Sequence, residues 1–293
     1  MHVVLLGPNG QLGRLVERST PPGVKLSAFS SAVCDLSNPA SLARVFDKTR
    51  PDLVINAGAY TQVDKAESEP ERAYAVNHAG IEHLIAATTP TTRLLHVSTD
   101  FVFDGFASTP YATDAPTNPL GVYGASKLAG EQALLSLAPQ RSCIVRTAWL
   151  YAAEGRNFFN TMLQLMHSKP LLRVVADQHG TPTSAHGLAE VLWRFAAAPA
   201  LTGVYHWTDQ GEASWYDFAC AIQEGALARG LLAQAIPIEP IATIDYPTPA
   251  VRPAYSVLDK RRTYAALGYQ GESWQQALNT VLDLRQALDR TSS

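Results

Sequence analysis

Val3-Val4-Leu5-Leu6-Gly7-Pro8-Asn9-Gly10-Gln11-Leu12-Gly13 decides the fold. The apolar run at 3–6 reads as a buried strand, and residues 11–19 read as a helix. The glycines at 7, 10 and 13 therefore fall in a strand-to-helix turn, the context in which such spacing binds a dinucleotide. Glycine lets the backbone approach a phosphate closely, and a helix N-terminus offers N–H groups and a positive dipole end. Gly7, Gly10 and Gly13 are candidate cofactor-binding residues.

The alternation continues outward from this turn. Strands are predicted at 24–29, 53–57, 94–98 and 143–147, and helices at 40–48, 71–87 and 123–137. Strands separated by helices imply a parallel sheet covered on both faces, with right-handed crossovers. This is a doubly wound Rossmann α/β architecture. Beyond about residue 150 the pattern loosens. Helices are predicted at 157–167, 185–198, 214–228 and 274–288, with Ser214 and Ser273 as N-caps, and a strand at 204–208. Residues 236–253 are rich in proline and read as extended loop. The expected division is a dinucleotide-binding domain over 1–150, to which 184–210 returns, and a smaller C-terminal substrate-binding lobe from 151–183 and 211–293. Ligands should lie between them, at the carboxyl ends of the strands.

The 293 residues are 46% hydrophobic and 17% charged, an ordinary globular balance. A net charge of −3 gives no surface for nucleic acid. Cys34, Cys143 and Cys220 show neither metal spacing nor a disulfide framework, which fits a reducing compartment. His78 and His83, five apart, lack ligand spacing. No signal peptide or membrane span is read, so a soluble cytoplasmic protein is expected.

Tyr123 and Lys127 lie four apart on a predicted helix and share a face. A free tyrosine titrates near about 10. A lysine cation beside it is expected to favour the phenolate and bring that value down. Thr99 and Asp100 follow the strand at 94–98, and Thr99 could donate a hydrogen bond to a substrate oxygen beside Tyr123. With the glycine turn, these residues describe hydride and proton transfer on a carbonyl or alcohol. Asn56-Ala57-Gly58-Ala59 ends the third strand with small residues that admit a ribose or phosphate, making Ala57 and Ala59 cofactor candidates. Asp35 and Leu36 could meet the adenine edge, and Ser30 and Val97 complete the cofactor wall. The second strand ends in Phe29-Ser30-Ser31, with neither an acid for a ribose 2′-OH nor an arginine for a 2′-phosphate, so NADPH and NADH both stay open.

With these motifs in place, the chain resembles the extended short-chain dehydrogenase/reductases, and within them the dTDP-4-dehydrorhamnose reductase family, from the start to about residue 259. The specific markers are Tyr60-Thr61-Gln62-Val63-Asp64-Lys65-Ala66-Glu67, Ser98-Thr99-Asp100-Phe101-Val102-Phe103-Asp104-Gly105 and Asp177-Gln178-His179-Gly180-Thr181-Pro182-Thr183. The resemblance implies that Gly10, Gln11 and Leu12 meet the cofactor pyrophosphate, and that Ala59, Tyr60 and Thr61 line the ribose and nicotinamide. It implies Thr99, Tyr123 and Lys127 as the catalytic set. Val63, Asp100, Val102 and Trp149 would touch the sugar nucleotide. It further implies reduction of dTDP-4-dehydro-L-rhamnose for cell-surface polysaccharide, a homodimer, and a magnesium ion at the dimer interface held by glutamates that no motif identifies. Glu190 and Glu224 are surface candidates only, and Arg252 reads equally as a phosphate ligand or a solvated charge. Phe101 departs from the tyrosine usual at that position, which removes a hydroxyl worth about 1 kcal/mol. Two other readings stand beside the reductase. One is a nucleotide-sugar epimerase or dehydratase that retains NAD. The other is a non-catalytic NADP-binding protein like the regulatory subunit of methionine adenosyltransferase.

Overall fold

A computed structural model describes residues 1–292. The first half runs β1 (His2–Leu6), α1 (Gln11–Arg18), β2 (Lys25–Phe29), α2 (Pro39–Thr49), β3 (Leu53–Asn56), α3 (Val63–Ala66), α4 (Pro70–Tyr74), α5 (Gly80–Ala87), β4 (Arg93–Thr99), α6 (Val122–Leu137) and β5 (Ser142–Thr147). The second half runs β6 (Leu150–Tyr151), α7 (Phe158–Ser168), β7 (Leu172–Val175), β8 (His179–Gly180), β9 (Thr183–Ser184), α8 (Ala185–Ala197), β10 (Gly203–His206), β11 (Ala213–Ser214), α9 (Trp215–Ala228), β12 (Ile238–Ile241), α10 (Arg261–Leu267) and α11 (Trp274–Ser292).

Six parallel strands form the central sheet in the order β10-β5-β4-β3-β1-β2. The apolar run in β1 feeds both faces because successive side chains of a strand alternate. Val3 and Leu5 pack with Leu12 and Val16 of α1 and Leu188 and Leu192 of α8. Val4 and Leu6 pack with Leu42 and Phe46 of α2, Leu84 of α5 and Leu134 of α6. Each fully buried aliphatic contributes about 1.5–3 kcal/mol. The crossover from β1 goes to one side for β2 and the next goes to the other side for β3, so the sheet reverses its winding between β1 and β3. That reversal opens a crevice at the strands' carboxyl ends. Asn56 lies level with Leu6, and Thr99 with Thr147, which brings the strand ends to one edge.

The second lobe has its own core, with Phe159 and Met162 of α7, Phe218 and Ile222 of α9 and Leu278 and Leu282 of α11. Ser214 caps α9 in a reciprocal box with Asp217. Ser273 accepts from the Gln276 N–H, and Gln276 returns a bond to the Ser273 N–H. No helix among the described residues is long and apolar enough to cross a membrane.

Two stretches differ from the sequence reading. The helix expected at 71–87 is broken by a π-helical turn over Ala75–Ala79 between α4 and α5. The wider turn seats Asn77, whose side chain accepts from the Tyr60 N–H and donates to the Tyr60 carbonyl and to Ser126. The proline-rich stretch at 236–253 holds a real strand, β12, which pairs with β7. Pro240 is tolerated because β12 is an edge strand of a two-stranded sheet.

Helix α6 is tied to β5 by a buried ion pair. Arg146 donates from Nε to Glu131 Oε1 at 3.0 Å and from Nη2 to Oε2 at 2.6 Å, with the side chains 5% and 1% exposed. Glu131→Leu would strand a buried guanidinium and should lower unfolding free energy by about 3–5 kcal/mol, read from urea denaturation. A loss below about 1 kcal/mol would show that the pair is not the tie described.

Candidate active site

A cavity of about 1000 Å³ opens along the carboxyl ends of the strands. At one end the glycine turn forms its floor. Gly7 has φ +82°, and a Cβ there would sit 2.8 Å from the Gly58 nitrogen. A Cβ on Gly13 would sit 2.1 Å from the Gly7 carbonyl oxygen. These two glycines are fixed by sterics, whereas a Cβ on Gly10 would meet only that carbonyl, at 3.5 Å. Gly10 begins α1 with no side-chain cap, so the first N–H groups of the helix are left to face a ligand. Gln11 and Leu12 share this end of the wall, and Gln11 donates to the Leu150 carbonyl of the second lobe at 3.1 Å.

Ser30, Asp35 and Leu36 line the β2 side of the cavity, beside the glycine turn. The Asp35 carboxylate turns back to accept from the Ser37 N–H and hydroxyl. Ala57, Ala59, Tyr60, Thr61, Val63 and Val97 line its length. Ser98 and Thr147, also in the wall, each hold a buried oxygen with no hydrogen-bond partner. A glycine cradle at one end and orphaned polar atoms at the other fit a dinucleotide laid across the crevice.

Thr99, Tyr123 and Lys127 converge on this second end. Tyr123 lies in the first turn of α6, edge-on to Phe101 with ring centres 5.6 Å apart. Burial pushes its phenol up to about 12, tempered by a hydrogen bond with Thr99, with the Asp100 carboxylate adding to the rise. The expected fall caused by Lys127 is absent. The Lys127 amine is bonded elsewhere, to the Val97 carbonyl at 2.7 Å and His96 Nε2 at 3.1 Å. His96 Nδ1 meets Asn56 Nδ2 at 3.1 Å, and Asn56 Oδ1 accepts from the Gly58 N–H at 3.0 Å. With the Asn56 oxygen used by Gly58, its amide donates to His96 Nδ1, which leaves the ring proton on Nε2. Lys127 can accept that proton only through a neutral amine. Burial lowers Lys127 to about 8, towards that state, while Glu131 opposes the fall. Burial and then the neighbouring Lys127 hold His96 well below the usual imidazole range.

Thr99 gives its single proton to Asp100 Oδ1 at 3.0 Å and accepts from the Phe101 N–H at 3.2 Å. Asp100 is 2% exposed. Burial raises its carboxyl to about 6, against the hydrogen bonding of Ser256 and Thr99 and the local backbone. Trp149 also lines the cavity. Val102 does not: it is fully buried against Phe103, Tyr111 and Leu258, because the short 3₁₀ turn at Asp100–Val102 aims it into that apolar cluster. The substrate contact expected of Val102 is therefore not made from this position. Arg252 is held by Asp64, onto which it forks at 3.0 and 2.8 Å in a part-exposed pair.

Sequence reading missed His96 and the Asn56 amide as parts of the floor. The signal was there: a histidine inside an apolar strand run asks for a buried partner. No group of three candidate metal ligands occurs among the described residues. Glu190 is held by Arg194 at 2.7 Å and Tyr269 at 3.1 Å, and Glu224 stands exposed.

Asp100→Asn should stabilise the protein while impairing the site. Above about pH 6 the parent holds a buried anion, and below about pH 3 the carboxyl is protonated folded and unfolded alike. The variant's advantage should thus be near zero at low pH and grow to about 3 kcal/mol at pH 8, read from thermal melts across pH. An advantage that does not change with pH would refute the buried charge.

The family described as the RmlD substrate binding domain matches residues 1–287. The dTDP-4-dehydrorhamnose reductase of Aggregatibacter actinomycetemcomitans is 40% identical, covering 96% of this chain and 98% of that protein. A crystal structure of a dTDP-4-dehydrorhamnose reductase from Clostridium acetobutylicum superposes with a TM-score of 0.92 at 36% identity, over 98% of this chain and 100% of that one. The Bacillus anthracis dTDP-4-dehydrorhamnose reductase, solved in complex with NADP, superposes with a TM-score of 0.90 at 32% identity, over 97% and 99%.

Proposed function

Since the chain belongs to the dTDP-4-dehydrorhamnose reductase family, we propose that it reduces the 4-keto group of dTDP-4-dehydro-L-rhamnose to give dTDP-L-rhamnose. The observation that carries this reading is the placement of Thr99, Tyr123 and Lys127 at one end of a cavity whose other end is the glycine cradle. When bound, the reduced nicotinamide supplies a hydride to the sugar C4. Gly7, Gly10, Gln11, Leu12 and Gly13 would hold its pyrophosphate, Ser30, Asp35 and Leu36 its adenosine end, and Ala57, Ala59, Tyr60, Thr61 and Val97 its middle.

Tyr123 is the proton donor in this reading. A phenol pushed up to about 12 is fully protonated at neutral pH, the state a donor requires. It gives up that proton only to a stronger base, and an alkoxide forming at C4 is one. Lys127 holds the Tyr123 end of the cofactor by turning from Val97 and His96 towards the ribose. Thr99 swings its hydroxyl from Asp100 to the substrate oxygen and so orients it. Val63, Asp100 and Trp149 contact the sugar nucleotide. Ser30 and Ser31 carry no charge to favour or repel a 2′-phosphate, so the end of β2 selects neither NADPH nor NADH. The same reading makes the protein a cytoplasmic homodimer that supplies rhamnose for surface polysaccharide, which light scattering and cell fractionation would test.

The assay is NADPH consumption with dTDP-4-dehydrorhamnose generated in situ, with dTDP-rhamnose identified as the product. Tyr123→Phe should lower kcat by about a hundredfold or more and leave NADPH affinity within about threefold. Turnover near that of the parent would remove Tyr123 from the donor role. A parent that binds NADPH but consumes none would overturn the reductase reading.

A further inference from the structure

Trp149 stands where β5 hands the chain to the second lobe, and it holds a backbone conformation that few side chains adopt. Its φ is +47°, one of two positive values among the non-glycine residues described. Such a conformation persists only where the surroundings impose it. Three contacts do so here. The Trp149 carbonyl accepts from the Thr183 N–H at 3.1 Å. Its indole lies flat on Trp215, with ring centres 3.5 Å apart and planes within 8°. Gly180 leaves the indole room, since a Cβ there would come within 2.6 Å of the ring.

Trp215 is not in the cavity wall; it is stacked on Trp149, which is. It is the first residue of α9, just after the Ser214–Asp217 capping box, so its backbone is fixed. Its own ring rests on Phe158 at 4.6 Å. Phe158 stacks on Phe218 at 5.5 Å, and Phe218 meets Trp274 edge-on at 6.0 Å. A column of aromatic rings thus runs from the cavity rim to the core of the second lobe. An indole backed in this way cannot recede when a ligand presses on it. The run at 177–183 also gains a physical reason: Gly180 and Thr183 are the seat of Trp149.

We propose that Trp215 is a positioning residue for substrate recognition, presenting Trp149 as a rigid apolar wall to the pyranose of the nucleotide sugar without touching the sugar itself. This inference rests on the reading that a nucleotide sugar occupies the cavity beside Trp149. Selectivity for a deoxysugar, which is poorer in hydroxyls, would depend on this wall.

The test uses the full-length protein and the variants Trp215→Leu, Trp215→Phe, Gly180→Ala and Trp149→Phe. Two stacked indoles should give an exciton couplet in far-ultraviolet circular dichroism. The couplet should be present in the parent and absent from Trp215→Leu and Trp149→Phe. In Trp215→Leu, KM for dTDP-4-dehydrorhamnose should rise about tenfold, with kcat and NADPH affinity within about threefold. Trp215→Phe should restore most of the loss. Gly180→Ala leaves Trp215 in place and should raise KM alike, so the inference stays open to refutation even where Trp215→Leu fails to fold. A parent without the couplet, or variants with the parent's KM, would overturn the role of Trp215. A parent that shows the couplet yet turns over no dTDP-4-dehydrorhamnose would instead overturn the functional reading, and this inference with it.

Discussion

Lys127 is buried, and the floor of the cavity is arranged to satisfy its amine. A buried amine needs partners, and β4 supplies two, the Val97 carbonyl and the His96 ring. His96 then needs a donor on its far side, which Asn56 at the end of β3 provides, and Asn56 in turn takes the Gly58 N–H. One buried amine thereby fixes the last residues of two adjacent strands and the turn after β3. Gly58 is also the residue against which Gly7 packs, so the chain of contacts ends at the glycine cradle. Both ends of the cavity are held by the same line of contacts.

Desolvation sets the electrostatics of this end of the site. It moves Tyr123 up to about 12, Asp100 up to about 6 and Lys127 down to about 8, each towards its neutral form. Asp100 and Lys127 are the chain's charges at the space where a nicotinamide and a keto sugar would meet, and burial weakens both. Charge that develops there must be answered by groups that can turn towards it, chiefly the Thr99 hydroxyl and the Lys127 amine. The paired charges stand outside this end: Glu131 with Arg146 beneath α6, and Asp64 with Arg252 at the rim.

The first half of the fold was legible because the chain repeats one rule, an apolar run and then a helix, and buried parallel strands demand it. The glycine turn was legible because Gly7 and Gly13 stand where no side chain fits. The π turn at Ala75–Ala79 was not, since its cause is the remote partners of Asn77, Tyr60 and Ser126. Spacing put Lys127 beside Tyr123 correctly on the helix, but it could not show that the amine turns to β4 instead. Val102 fell on the wrong side for a related reason: a single 3₁₀ turn decides which neighbour faces the cavity, and it leaves no period in the sequence. Arg252 found Asp64 across 188 positions, a contact no local pattern announces.

The sheet has one strand that comes late. β10 pairs with β5 after α7, β7 and α8 have intervened, and α8 covers the same face of the sheet as α1. During synthesis the first five strands leave the ribosome with the β5 edge lacking its final strand and half of one face bare. They must wait until residues near 206 have emerged before β10 can pair with β5. The bare face includes Val3, Leu5 and Val145, fully buried in the finished protein. The growing chain is therefore most exposed to misassociation in this interval, and a nascent-chain chaperone would have its longest hold on it there.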